Sequence, residues 1–223
     1  MEFDVNHLIE FIPEINSAFL ETLYMISIAL VVAIIIGLPL GILIFITDKG
    51  LFLENRVANQ ILGFIVNLIR SIPFIILLVA LIPLTVALVG SMIGPTAASV
   101  SLSVAAIPFF ARLVESALRE VNYGVIEAAI AAGGTPWMII KDVILPEAKA
   151  GIISGITITI VSLVGTSAVA GTLGGGGIGD LAIRFGYYRY DDTIMITTVI
   201  ILIIFVQIIQ LAGDKIAKVV NKK

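Results

Sequence analysis

The sequence contains no cysteine, which excludes disulfides, thiolate metal sites and thiol catalysis. Its single histidine, His7, cannot build a metal cluster alone. Charge is scarce as well. Only 13% of the 223 residues are Asp, Glu, Lys or Arg, about half of the roughly 25% that a soluble domain carries. A chain so poor in charge cannot cover a water-facing surface. Its formal net charge of -3 leaves no basic footprint for nucleic acid. No G-x-x-x-x-G-K-[ST] phosphate loop occurs, so any ATP hydrolysis has to come from another chain. The apolar runs hold no paired aspartates, no Ser/His dyad and no H-E-x-x-H helix, the signatures an intramembrane enzyme would carry.

What remains is apolar: 59% of residues are hydrophobic, and mean hydropathy is +1.15. Runs of about 20 apolar residues, the length that crosses a ~30 Å hydrocarbon core, recur along the chain. They are continuous rather than alternating, which predicts helices and not an outer-membrane barrel. The expected fold is an all-α membrane protein with five spans at about 17–46, 57–82, 96–119, 150–172 and 191–213. The second span is irregular, with Arg70 and Pro73 inside it, and Pro39 is expected to kink the first, flanked by Gly37 and Gly41.

Lys and Arg in the short loops set orientation. Lys49 and Arg56 lie after the first span, Arg112, Arg119, Lys141 and Lys149 around the loop after the third, and Lys215, Lys218, Lys222 and Lys223 at the end. The alternate loops hold only Arg184 and Arg189. This bias predicts an amino terminus outside, a basic tail at 214–223 inside, and the loop at 123–146 in the cytoplasm. The amino-terminal stretch, 1–16, is read as an external tail; Glu2, Asp4, Glu10, Glu14 and Glu21 precede any basic residue. A cleavable signal peptide needs a basic start, so the first span is expected to stay as an anchor. Residues 17–213 read as one membrane domain.

The loop EAAIAAGGTPWMIIKDVILP, Glu127 to Pro146, is the polar interruption in this pattern. Asn122 is placed to cap a helix containing Glu127, Ala128 and Ala129, whose alanines favour helix and add no bulk. Gly133 and Gly134 stop it, and Thr135-Pro136 supplies a new cap and first helical residue. The spacing then predicts a short helix with Trp137, Ile140 and Ile144 on one side, ended at Leu145-Pro146 because a residue before proline is pushed out of helical geometry. Such a segment either joins two spans or inserts into a groove of a cytoplasmic partner.

Glu127-Ala128-Ala129, Gly133, Val143 and Leu145-Pro146, at these spacings, resemble the EAA loop of ABC-importer permeases; Val143 stands where that family usually has Ile. Arg70-Ser71-Ile72-Pro73-Phe74, Pro108-Phe109, Ala111-Arg112 and Gly174 to Asp180 are similar to the methionine-importer permeases, a likeness over nearly the whole chain. The resemblance implies a multi-pass protein of the bacterial inner membrane that imports methionine, D- or L-, by alternating access. It also implies a second copy of the chain, two cytoplasmic ATPase subunits, an external substrate-binding lipoprotein and surrounding membrane lipid. The loop would be the coupling element, the chain would bind no cofactor itself, and ATP and Mg would be used by the ATPase. Five spans are few to enclose a route, which favours one on a two-fold axis. An importer for another amino acid or an osmoprotectant is the alternative. A self-contained channel or carrier is a further rival, but carriers tend to hold coupling carboxylates near the midplane, whereas Glu115 falls near the end of the third span.

Three other groups are candidates. Gly174 to Gly179 fits the dinucleotide pattern G-x-G-x-x-G but follows a span where that site needs a strand. It reads as a turn or, with Asp180, Arg184, Tyr187, Tyr188, Arg189 and Tyr190, as a contact for the external binding protein. In span four, Gly151 and Gly155 make a small-xxx-small pair, and Ser162, Gly165, Thr166 and Ser167 either pack or line the pathway. Arg70, costly at a bilayer centre, must face protein or water, as a paired structural charge or as part of the pathway lining, or reach the interface.

Overall fold

The computed structural model describes residues 4–221, and every regular element among them is helical. Glu2, Lys222 and Lys223 lie outside the described residues. In chain order the helices are α1 (Val5–Val32), α2 (Leu38–Ile46), α3 (Arg56–Ser71), α4 (Phe74–Ala80), α5 (Ile82–Val89), α6 (Pro95–Arg119), α7 (Tyr123–Ala131), α8 (Pro136–Met138), α9 (Leu145–Gly171), α10 (Gly177–Leu181) and α11 (Asp192–Val220). Wider π-helical turns join α1 to α2 (Ala33–Gly37) and α8 to α9 (Ile139–Ile144), and another follows α10 (Ala182–Tyr187).

Among the described residues, four helical rods are long and apolar enough to cross a membrane: Val5–Ile46, Pro95–Arg119, Pro136–Gly171 and Asp192–Val220. The fifth expected span is not one helix. It is the pair α3 and α4, bent by 101°. Pro73 brings no N–H and drives Ile72 out of helical geometry, so the break falls there rather than appearing as a mild kink. Arg70 consequently sits in the exposed last turn of α3, where a cation suits the helix dipole. The last helix runs on to Val220, through most of the stretch expected as a basic tail.

The described chain divides into two compact units. In the first (4–31, 72–105 and 160–210), Ala18, Ile178, Leu181 and Ile194 form a buried core flanked by Phe11, Ile15 and Phe19. Phe11, Ile15 and Ala18 recur at four- and three-residue intervals, so one helical face reaches back into the stretch expected as a tail. Asp4 Oδ1 accepts the N–H groups of Asn6 at 2.9 Å and His7 at 3.3 Å, capping that helix. Residues 5–16 are therefore the first turns of α1. Further along α1, Glu21 Oε2 accepts the Gly177 N–H at 2.8 Å, and Thr22 Oγ1 accepts that of Ile178 at 2.9 Å. The glycine-rich turn after α9 is thus tied down by side chains of the first span.

In the second unit (32–71, 106–159 and 211–221), α2 and α9 approach α6 through glycine. A Cβ on Gly37 would lie 2.8 Å from the Ile107 carbonyl oxygen, and one on Gly41 2.5 Å from that of Ala111. These glycines set a close backbone approach rather than merely bordering a kink. Gly151 and Gly155 do the same from α9, against Ala117 and Leu113. Helix α6 is the most enclosed crossing: 61% of its most apolar stretch is buried, against 11% for α11.

Replacing Gly41 by alanine is expected to cost about 1–3 kcal/mol, the usual penalty of overpacking. The check is the thermal unfolding midpoint in detergent. Gly63→Ala, whose new methyl would meet only Arg112 Nη2 at 3.4 Å, should leave that midpoint unchanged or raise it.

Candidate functional site

The Glu127–Pro146 loop is built as two helical pieces around a tight turn. Asn122, in extended geometry, accepts the Gly124 N–H through its side chain at 2.9 Å and starts α7. At the other end the Gly134 N–H reaches the Ala129 carbonyl at 3.0 Å, and the Gly133 N–H reaches that of Ile130 at 2.9 Å. Gly133 has φ +81°, which completes the paired bonds of a Schellman motif. Thr135, also extended, accepts the Met138 N–H at 3.4 Å and caps α8 with Pro136 at its first turn.

Leu145-Pro146 does not end this second piece. From Pro136 the chain is helical without interruption to Gly171. The expected stop fails because the π turn Ile139–Ile144 lies directly before Pro146. A wider turn relieves the clash between the proline ring and the carbonyl of residue 142, and Leu145 keeps helical angles of φ -64° and ψ -43°. The turn also shifts the faces. Ile139 and Ile144 are buried with Ile126, and Ile140 is half-buried. Trp137 is 69% exposed and Met138 52%, so Trp137, Ile140 and Ile144 do not share one side.

Glu127 and Ala128 are exposed, Ala129, Val143 and Leu145 half-buried, and Pro146 exposed. Tyr123, Val125 and Ile130 are uncovered as well. The loop buries just enough to fix its shape and leaves a tryptophan and several aliphatic side chains outward, the composition of an interaction surface.

The other candidates fall in the first unit, Arg70 apart. Gly165 is exposed, and a Cβ added there would find no other atom within 4 Å. It opens on an apolar groove of about 340 Å³ with Val161, Ala168, Leu202 and Val206. Ser162 and Thr166 are half-buried, and Thr166 gives its hydroxyl hydrogen to its own helix, at Ser162 O or Leu163 O. Ser167 is buried and donates to Val164 O at 2.8 Å. Thr166 and Ser167 thus bond back to the preceding turn, and Ser167 does not open on the groove.

Asp180 pairs with Arg184 at 3.1 Å, and Arg184 and Arg189 stand 5.0 and 4.4 Å from the Phe185 ring centroid. Tyr187, Tyr188 and Tyr190 are 62%, 70% and 88% exposed. Asp180, Arg184, Tyr187 and Arg189 therefore belong to one cationic, aromatic surface. No group of three His, Asp or Glu among the described residues is placed to hold a metal ion.

The family model of binding-protein-dependent transport system inner membrane components matches residues 33–223. The chain belongs to that family. Membership makes it a transport component of the inner membrane. It is 53% identical over 203 residues to a Vibrio cholerae protein named "Probable D-methionine transport system permease protein MetI", covering 91% of this chain and 90% of that one. It is 43% identical over 212 residues to the "Methionine import system permease protein MetP" of Bacillus subtilis, covering 95% and 96%. An inward-facing structure of the MetNI methionine ABC transporter superposes with a TM-score of 0.94 at 43% identity, over 96% of this chain and 99% of that one.

One cluster of this permease escaped sequence reasoning. Glu115, one turn from the end of α6, is 5% exposed. It accepts from Arg112 Nη1, and from Arg119 Nε at 3.1 Å and Nη2 at 2.8 Å. Arg119 also pairs with Asp48 at 2.7 Å. Burial pushes the Asp48 carboxyl up, but the Lys49 amide and the Arg119 guanidinium outweigh it and hold it below the usual carboxylate range. The signal was present: Arg112, Glu115 and Arg119 are three and four residues apart on a helix.

Gly133 has open space around it, so a side chain there meets only backbone strain. Gly133→Val is expected to destabilise the end of α7 by about 1–2 kcal/mol, while Gly133→Asn, which tolerates the left-handed region, loses much less. Hydrogen exchange of the 123–132 amides is the readout, faster in the valine variant alone.

Proposed function

We propose that this chain is the methionine-transporting permease subunit of an ATP-binding-cassette importer, working as one half of a dimeric pathway and driven by a separate ATPase. The observation that carries it is the outward face of the loop, with Trp137 exposed on a helix capped, turned and braced into a fixed shape. The likeness to MetI and MetP proteins and to the MetNI structure supports the substrate and the assembly.

In this reading the loop lies in the cytoplasm, as the Lys and Arg bias favours, and Trp137 and its neighbours enter a groove of the ATPase. ATP and Mg act in that partner; this sequence has no phosphate loop. ATP binding draws two ATPase subunits together, and each carries its docked loop as a rigid body. The permease pair turns from inward-open to outward-open, receives substrate from an external lipoprotein, and resets on hydrolysis. Asp180, Arg184, Tyr187 and Arg189 supply a surface for that lipoprotein. Ser162, Gly165, Thr166 and the exposed Arg70 are the pathway-lining candidates, with Gly165 leaving room for a passing side chain; Ser167, buried and bonded to Val164 O, would line it only after a rearrangement.

The test is uptake of labelled methionine by permease, ATPase and binding protein reconstituted in liposomes. Uptake is expected to need ATP and to fall at least tenfold under excess unlabelled methionine, but not under other amino acids. Trp137→Ala should lower ATPase retention on copurification by about tenfold or more, as loss of an interface hot spot does. Uptake indifferent to excess methionine would remove the substrate assignment, and full retention by the Trp137 variant would remove the docking surface.

A further inference from the structure

We propose that Glu115 is a positioning residue for energy coupling: it clamps the two arginines that lock α3 and the 47–55 connection to the end of α6, so that the ATPase-docking loop moves with these elements as one block. The inference rests on the loop being the ATPase dock.

Glu115 accepts from Arg112 one turn before it and from Arg119 one turn after it, along the same helix. Neither arginine stops there. Arg112 Nη2 donates to the Gly63 carbonyl at 3.1 Å and to Asn67 Oδ1 at 3.0 Å, both on α3. Arg119 Nη2 reaches Asp48 at 2.7 Å, in the connection that follows α2. That connection is in turn held by the loop, because the Tyr123 hydroxyl, at the first residue of α7, donates to the Gly50 carbonyl at 2.6 Å. All these groups belong to the second unit.

Stability alone does not account for the arrangement. A buried ion pair is often no better than apolar residues of similar volume. Arg112 Nε is also left buried without a hydrogen-bond partner among the described residues, a cost that an apolar contact would avoid. What the cluster does supply is geometry. A carboxylate with arginines on both sides fixes both guanidinium planes, and those planes fix where α3 and residues 47–55 stand against α6. Without Glu115 two like charges face each other, and the arginines lose the anion that aims them. The loop would still dock, but its displacement would be lost in play between these elements.

The experiment measures ATP hydrolysis and methionine uptake in the same proteoliposomes holding the full importer. For Glu115→Gln the ATP hydrolysed per methionine imported is expected to rise at least fivefold, with the ATPase retained at wild-type stoichiometry. Glu115→Asp, which keeps the charge, should fall between the two. An unchanged ratio overturns the inference, as does a parallel fall of both activities, which is what a purely structural role would give. If Glu115→Gln does not assemble, Asp48→Asn decides: it removes the charge that holds Arg119 from outside and leaves one oxygen to serve both Arg119 and the Lys49 N–H, so it should raise the ratio at least twofold, and an unchanged ratio is again fatal. Failure of the wild-type permease to retain the ATPase would bring down the docking reading and this inference together. Retention with tight coupling in Glu115→Gln would bring down this inference alone.

Discussion

A proline in an apolar helix has to be accommodated without stranding backbone groups, and the working end of this permease depends on how that is done at Pro146. The ring brings no N–H and crowds the carbonyl of residue 142. That crowding does not end the helix, and the chain does not open there. It widens instead into the Ile139–Ile144 π turn and continues as helix. The same solution stands before Pro39, with Ala33–Gly37 as the wide turn. At Pro73 no such turn forms, and the helix breaks by 101°. Where a proline is absorbed, a span and what precedes it stay one rod.

That continuity changes what the loop is. A hinge at Leu145-Pro146 would have made α8 a tethered peg. As built, Trp137 projects from the same helix that begins α9, and α9 packs through Gly151 and Gly155 against α6. The turn lies on the other side, at Gly133, where a left-handed residue separates α7 from α8. Tyr123 and the Glu115 cluster then secure the α7 end. A partner pressing on Trp137 acts on a stiff rod with a braced neighbour.

Much of this was legible in the residues. Asn122, Gly133 and Thr135 announce caps and turn through local chemistry, which needs no tertiary context, and all three act as expected. Four of the five expected crossings followed from apolar run length, and the fifth is the bent pair. The misses share a cause, since each required knowing what a side chain would meet. Leu145-Pro146 looked terminal because the π turn is not written in any local pattern. The first turns of α1 looked like a tail because their acids outweigh Phe11 and Ile15, whose partners Ile178 and Ile194 lie far along the chain. The Glu115 cluster was missed because Arg112 and Arg119 were counted as topology signals rather than as its neighbours. Ser167 looked available because a hydroxyl in sequence does not reveal that Val164 O already holds it.

The central claim is that the loop helix and the start of the fourth span move as one piece, and spin-label distances across Pro146 test it most directly. The chain has no cysteine to remove, and Met138 and Ile158 are exposed positions for Met138→Cys and Ile158→Cys, 52% and 49% open. With both labels on one permease copy in the assembled importer, about 20 residues of helix should give one narrow distance near 30 Å. The account predicts the same distribution without nucleotide and with ATP bound. A shift of more than about 5 Å, close to one helical turn, or a second population in either state, would place a hinge at Pro146 and contradict it.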